Sequence, residues 1–120
     1  MLNSVELKTF VPARNFELSK AFYLALGFKP GWSDEQLAYF SHGKHCAFLL
    51  QNFYVKEQAE NFMMHLLVDD VDAWWQHISA ERLDERFGAR LIAPQDQPWG
   101  MRDLVVIDPS GALWRIGQNI

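Results

Sequence analysis

The stretch Met101–Gly117, MRDLVVIDPSGALWRIG, decides the fold. It reads as a strand (Leu104–Ile107), a tight turn (Asp108-Pro109-Ser110-Gly111) and a second strand (Ala112–Ile116). An aspartate at the first turn position can accept from the turn's own amides, proline presets φ at the second, and glycine suits the fourth. The apolar and β-branched residues on both sides predict a hairpin that is largely buried. Alone, such a hairpin is only structural. Its meaning comes from the units upstream that could pack against it.

Immediately before it, Phe62–Val68 reads as a strand. Asp69-Asp70 then open a helix that carries Val71, Trp74, Trp75 and Ile78 on one face. Aspartate at that end serves both the cap and the helix dipole. The charged run Ile78–Gly88 extends this helix or forms a second short one. Leu91-Ile92 is a short strand, followed by a Pro- and Gln-rich loop, Pro94–Gly100.

The first half shows the same order. Val5–Val11 alternates as a strand that Pro12 ends. Asn15 caps a helix to Leu26, whose Leu18, Ala21, Phe22, Ala25 and Leu26 keep helical spacing, with Gly27 as the stop. Three short strands follow, at Phe28–Trp32, Leu37–Phe40 and His45–Gln51. Asn52–Asn61 is a polar connector, the one stretch resembling a linker. Each half is therefore β-α-β-β-β, and Asn15 maps onto Asp70, and Lys8 onto Met63, 55 residues on. A unit of this size cannot cover its own sheet. The expected architecture is α+β in a single domain, residues 1–120, with modules at 5–52 and 62–118. Together the modules would form a curved eight-stranded mixed sheet enclosing a cleft, helices outside.

Composition narrows the function. The formal charge of −4, without a basic stripe, argues against nucleic acid. No apolar run reaches the roughly 20 residues of a membrane span, and Glu6 and Lys8 interrupt any signal-like start, so no membrane partner and a cytoplasmic location are expected. The single cysteine, Cys46, fits a reducing compartment. Seventeen aromatics, five of them tryptophan, suggest a concave surface for flat organic ligands.

The ordered set Asn15-Phe16, Ala21-Phe22-Tyr23, Leu26-Gly27-Phe28, Val68-Asp69-Asp70-Val71-Asp72-Ala73 and Asp108-Pro109-Ser110-Gly111-Ala112-Leu113-Trp114 resembles the vicinal-oxygen-chelate superfamily, and within it the glyoxalase/bleomycin-resistance group. Metal-using members of that superfamily carry His, Gln or Glu at four positions facing the hollow. The resemblance puts Lys8, Leu49, Met63 and Arg115 there, with a one-residue slip possible at Leu49. None is an ordinary ligand for a divalent cation, and two are cationic. The resemblance therefore implies the metal-free antibiotic-binding type: no cofactor, no catalytic residue, a homodimer, and sequestration of a small organic ligand such as an antibiotic. Some members exchange a first-strand arm between subunits, marked by a proline where this chain has Thr9. The alternative is a glyoxalase-like metal-dependent lyase or isomerase, or a dioxygenase-related enzyme.

The candidate ligand contacts follow from the same placement. Lys8, Phe10, Tyr39 and Leu49 come from the first half. Met63, His65 and Arg115 come from the second, His65 sharing a face with Leu67 by alternation from Met63. Trp32 and Trp99 stand beside Gly and Pro in irregular stretches of the kind that rim pockets. Gln97–Asp103 is the candidate lid, contributing Trp99, Met101, Arg102 and Asp103. Lys8 and Arg115 need partners if they face the hollow. Either Glu6 and Asp103 complete an internal ion network, or the two cations await an anionic group on the ligand. The other polar residues read as structural: His42 and His45 on a surface turn, His77 solvated, Cys46 a core thiol, Trp74 and Trp75 core.

Overall fold

The closing hairpin realises its turn chemistry fully. In the computed structural model, which describes residues 1–120, Asp108 is buried and its Oδ1 accepts from the amides of Ser110 (2.8 Å) and Ala112 (2.9 Å). Gly111 takes a left-handed φ of 99° and donates to the Asp108 carbonyl at 3.0 Å. The turn also reaches out of its own hairpin. Tyr23 donates its hydroxyl to Asp108 Oδ2 at 2.5 Å, the Trp114 indole donates to Tyr23 Oη at 2.9 Å, and Ser110 Oγ accepts from the Arg14 amide at 2.9 Å. The last hairpin is thus bonded to the first helix and the segment before it.

In chain order the elements are β1 (Phe10–Pro12), α1 (Phe16–Leu26), β2 (Lys29–Ser33), β3 (Leu37–His42), β4 (Cys46–Gln51), α2 (Lys56–Glu60), β5 (Met63–Leu67), α3 (Val71–Ala80), α4 (Leu83–Phe87), β6 (Arg90–Gln97), β7 (Met101–Ile107) and β8 (Leu113–Asn119). The strands form two mixed four-stranded sheets, ordered β1-β4-β3-β2 and β5-β8-β7-β6. In each, the strand before the helix pairs parallel to the last strand of its half, and the others are antiparallel. The repeat extends to the register: Phe10 faces Leu49, and 55 residues on, His65 faces Arg115. The sheets do not close into a barrel, so the hollow is open.

Both helices begin where their caps predict. Asn15 Oδ1 accepts from Leu18 N and Asp70 Oδ1 from Ala73 N, each at 3.1 Å. One apolar cluster joins the halves: Phe22, Tyr23 and Leu26 of α1 and Val71 and Ile78 of α3 with Phe40, Phe48 and Leu50 of one sheet and Leu104, Trp114 and Ile116 of the other. Strand alternation leaves the opposite faces, with Phe10, Tyr39 and Leu49 on one sheet and Met63, His65 and Arg115 on the other, turned away from that core.

Several expectations are corrected. The strand expected over Val5–Val11 is only Phe10–Pro12. Upstream of it, residues 1–9 form an extended arm whose one ladder bond is Leu49 N donating to Thr9 O at 2.9 Å. The alternation is present in that arm, but upstream of Thr9 the arm does not take up the free edge of β4 beside it. The connector Asn52–Asn61 is not a loose linker, because it winds into α2 and fully buries Ala59. The loop expected over Pro94–Gly100 is mostly strand: β6 runs to Gln97, with a register shift between Ile92 and Gln95 that accommodates Pro94 on the sheet edge. The uncertain run after Ile78 resolves into the end of α3 and α4, anchored by buried Leu83. No helix is long and apolar enough to cross a membrane.

Candidate ligand-binding site

The two cations expected at the hollow each have a carboxylate. Lys8 Nζ is bonded to Glu6 Oε1, and Glu6 Oε2 accepts from the Tyr39 hydroxyl at 2.8 Å. These bonds hold the Glu6 carboxyl below its ordinary range, with the Lys8 bond the larger cause, and lift the Tyr39 phenol. Arg115 Nη1 donates to Asp103 Oδ2 at 3.2 Å, and Gln97 Nε2 donates to the other oxygen at 3.0 Å. Glu6 and Asp103 are therefore the partners, as two separate pairs rather than one network of four. The arm is pinned to β3 through Tyr39, and β8 to β7 through Asp103.

Trp99 stands in the turn between β6 and β7, 58% exposed, with the Arg115 guanidinium 5.8 Å from its ring centroid. Met101 shares the side of β7 that carries Asp103, and its Cε lies near the bare backbone of Gly117. Arg102 projects to the other side. Its guanidinium bonds Asp72 of α3 (3.0 Å) and Asp96 of β6 (3.1 Å), the bonds that hold its pKa up. Trp32 lies exposed on the edge strand β2. Phe10, Met63 and Leu67 are all at least half exposed, whereas Leu49 is buried beneath Phe10's strand.

A groove of about 530 Å³ runs between the arm (Leu7–Thr9), the start of β4 (Cys46–Phe48) and β5 (Met64–Leu66), lined also by Phe28 and Trp114. Of the predicted contacts only Lys8 and His65 line it. Cys46, expected in the core, is partly exposed on its wall. The sequence held no signal for this groove, because it forms only where strand edges of the two halves meet. A smaller hollow of about 260 Å³ lies at the end of α1, beside Gly27, His42, Trp74 and His77. There His77, exposed as expected, also donates from Nε2 to the Ala25 carbonyl at 2.9 Å, and His42 packs on Trp74 with ring centroids 4.9 Å apart.

The donor set does not suit a divalent metal. Lys8, Leu49, Met63 and Arg115 offer two cations already engaged by carboxylates, an aliphatic group and a thioether, which serve soft ions at best. Nowhere do three or more His, Cys, Asp or Glu side chains converge as a possible ion site.

Comparison with known proteins shows what the chain is similar to in sequence and fold. A bleomycin resistance protein of Klebsiella pneumoniae is 28% identical over 121 residues, covering 91% of this chain and 88% of that protein. The crystal structure of a bleomycin resistance determinant encoded on the transposon Tn5 superposes with a TM-score of 0.81 at 25% identity, covering 97% of this chain and 98% of that one. A bleomycin-binding protein crystallised with bleomycin gives 0.82 at 25% identity, covering 98% and 100%. The glyoxalase/bleomycin resistance protein/dioxygenase superfamily model matches residues 4–116, and the chain belongs to that superfamily.

Proposed function

We propose that this protein captures a small organic antibiotic of the bleomycin type, without transforming it, at clefts completed by a second copy of the chain in the cytoplasm. The observation that carries this reading is the condition of the hollow faces. Met63 is 62% and Leu67 57% exposed on one sheet and Phe10 stands exposed on the other, apolar surface that a single chain leaves in water. Trp32 and Trp99 stand beside these faces as flat, exposed rings. The charges nearby are neutralised internally, so neither cation calls for an anionic ligand, and a neutral or cationic drug is accommodated.

A homodimer is part of this reading. The arm exposes Leu2, Val5 and Leu7 almost completely, in a segment whose alternation is that of a strand. The outer edge of β5 and the first half of β4 are unpaired strand edges flanking the 530 Å³ groove. Insertion of a partner's arm would satisfy both. The relatives described as bleomycin-resistance and bleomycin-binding proteins support the ligand class.

The test is a titration of the protein with metal-free bleomycin, followed by tryptophan fluorescence and calorimetry, with mass spectrometry of the recovered drug. Saturation near one drug per protomer, with the drug recovered unchanged, is the expected result. Absence of any binding signal at high micromolar drug sinks the proposal. The rival, a metal-dependent lyase or isomerase, is disfavoured by the donor set. It would return if protein equilibrated with Ni²⁺, Fe²⁺ or Zn²⁺ retained about one ion per site after desalting.

A further inference from the structure

Asp103 is the one buried carboxylate on the hollow side of the second sheet. Its side chain is 1% accessible, yet it holds two donors that lead outward: Gln97 Nε2 at 3.0 Å and Arg115 Nη1 at 3.2 Å. Those two residues flank Trp99. Gln97 ends β6 two residues before it, and its carbonyl accepts from the Gly100 amide at 3.2 Å, closing the turn that carries the indole. The Arg115 guanidinium stands over the ring itself, 5.8 Å from its centroid and within cation–π range. Trp99 has no backing of its own, being 58% exposed in a turn between two strands.

The backbone is also shaped for this arrangement. Gly117 pairs directly with Asp103 across β7 and β8, and a Cβ on Gly117 would come within 2.9 Å of the Asp103 Cβ and 3.3 Å of the Arg102 carbonyl. A strand glycine packs nothing and costs entropy, so its use here fits a close approach. The bare backbone at 117 is what lets the carboxylate lie flat beside β8, within reach of Arg115 two residues earlier.

We infer that Asp103 is a positioning residue for ligand capture: through Arg115 and Gln97 it fixes the Trp99 indole as a rigid platform at the rim of the site, without itself contacting the ligand. The inference rests on the capture reading above. A guanidinium tethered by a buried carboxylate loses little further freedom when it stacks, so the ring it supports is ordered before the ligand arrives. An indole left to a loose turn would have to be ordered at the moment of binding, and affinity would fall accordingly. Because Arg115 occupies one face of the ring and is neutralised by Asp103, the platform presents its other face for a flat group and makes no demand for ligand charge.

The experiment has a part that does not depend on any ligand. The protein is labelled with 5-fluorotryptophan, the Trp99 resonance is assigned with Trp99→Phe, and its line shape and relaxation are compared in wild type, Asp103→Asn and Arg115→Gln. Both variants are expected to release the ring, narrowing and shifting the Trp99 signal while the other four indoles stay in place. Arg115→Gln serves as the second variant should Asp103→Asn fail to fold. An unmoved Trp99 signal in a folded variant overturns the inference. Titration with metal-free bleomycin then asks for coupling: Asp103→Asn should weaken binding about tenfold in the wild-type background and hardly at all in Trp99→Phe. An equal loss in both backgrounds also overturns it, because Asp103 would then act independently of the indole. If wild-type protein binds no bleomycin, the capture reading fails alone, and the fluorine measurement still decides whether Asp103 orders Trp99.

Discussion

Tyr23 of α1 and Asp108 and Trp114 of the closing hairpin share one buried hydrogen-bond chain. Burial lifts the Asp108 carboxyl above its ordinary value of 3.8, outweighing the bonds from Tyr23, Ala112, Ser110 and Gly111 that pull it down. Burial, and then the charge of Asp108, push the Tyr23 phenol well up. Tyr23→Phe leaves the Trp114 indole without an acceptor and one Asp108 oxygen without a donor. A loss of about 2 kcal/mol in urea unfolding is expected, with the fold kept. The sign of the pH effect follows from the direction of the shift. A carboxyl whose folded pKa is raised favours the fold fully below the unfolded value near 3.8, and loses that contribution as pH rises through the folded value. The stability of wild type relative to Asp108→Asn should therefore be higher near pH 4 than at pH 7. A pH-independent difference would mean that the hydrogen bonds offset burial, and a difference that grows toward pH 7 that they outweigh it. The turn chemistry of Asp108-Pro109-Ser110-Gly111 was readable in the sequence because it is local. That Tyr23 would be its partner was not, since 85 residues separate Tyr23 from Asp108 and nothing in helical spacing distinguishes a tyrosine bonded inward from one that is merely apolar.

Among the elements, legibility follows the same division. Helices α1 and α3 start at their caps, and β7 and β8 flank their turn as read, because caps and turns are decided by neighbours in sequence. Strand pairing depends on what another part of the chain presents, which is why β6 runs further than its Pro94 suggested and why the first strand is shorter than its alternation. Less of the candidate site was legible, since of the expected contacts only Lys8 and His65 line the groove. Glu6 and Asp103 were identifiable as counter-charges by alternation, but the support Arg115 gives to Trp99 required coordinates. The arm illustrates how weakly an unpaired strand is held. Its side-chain tether to the body is the Tyr39–Glu6 bond, and Tyr39 sits under Gly31 so closely that a Cβ there would lie 2.6 Å from the ring. Gly31→Ala should swing the Tyr39 ring aside and free the arm, read as lower heteronuclear NOE values over residues 5–9. The same contact sets a pH window. The Glu6 pKa is lowered, so its contribution is present above 4.5, the ordinary value, and lost as pH falls through the lowered one. The Tyr39 pKa is raised, so its contribution is present below 10.0 and lost as pH rises through the raised one. The arm should be most rigid between those limits, read as the highest heteronuclear NOE values over residues 5–9. Arm mobility that ignores both Gly31→Ala and acid would show that the arm is held elsewhere.

At the scale of the whole molecule, the core and the arm are separable. The core cluster begins at Val11, and the network that ties the last hairpin to α1 involves nothing before Arg14. Deleting residues 1–8 should therefore leave a folded protein with helix and sheet content intact by circular dichroism. What the deletion removes is apolar strand surface, Leu2, Val5 and Leu7, that a single chain does not bury. A stable two-fold interface needs on the order of 800 Å² from each partner. The open faces around Phe10, Met63 and Leu67 supply apolar area for it, and the arm supplies backbone donors and acceptors for the unpaired edges of β4 and β5. Full-length protein should sediment as a dimer at micromolar concentration, and the truncated chain should shift toward monomer while losing affinity for bleomycin in parallel. The parallel is the informative part. If the truncated chain is monomeric yet binds the drug as tightly as before, the cleft is complete within one chain and the dimer has no part in capture. If it remains a dimer of unchanged affinity, the open sheet faces alone make the interface and the arm belongs to neither. Loss of both together would mean that the unpaired edges flanking the 530 Å³ groove are one half of a site that the second copy completes.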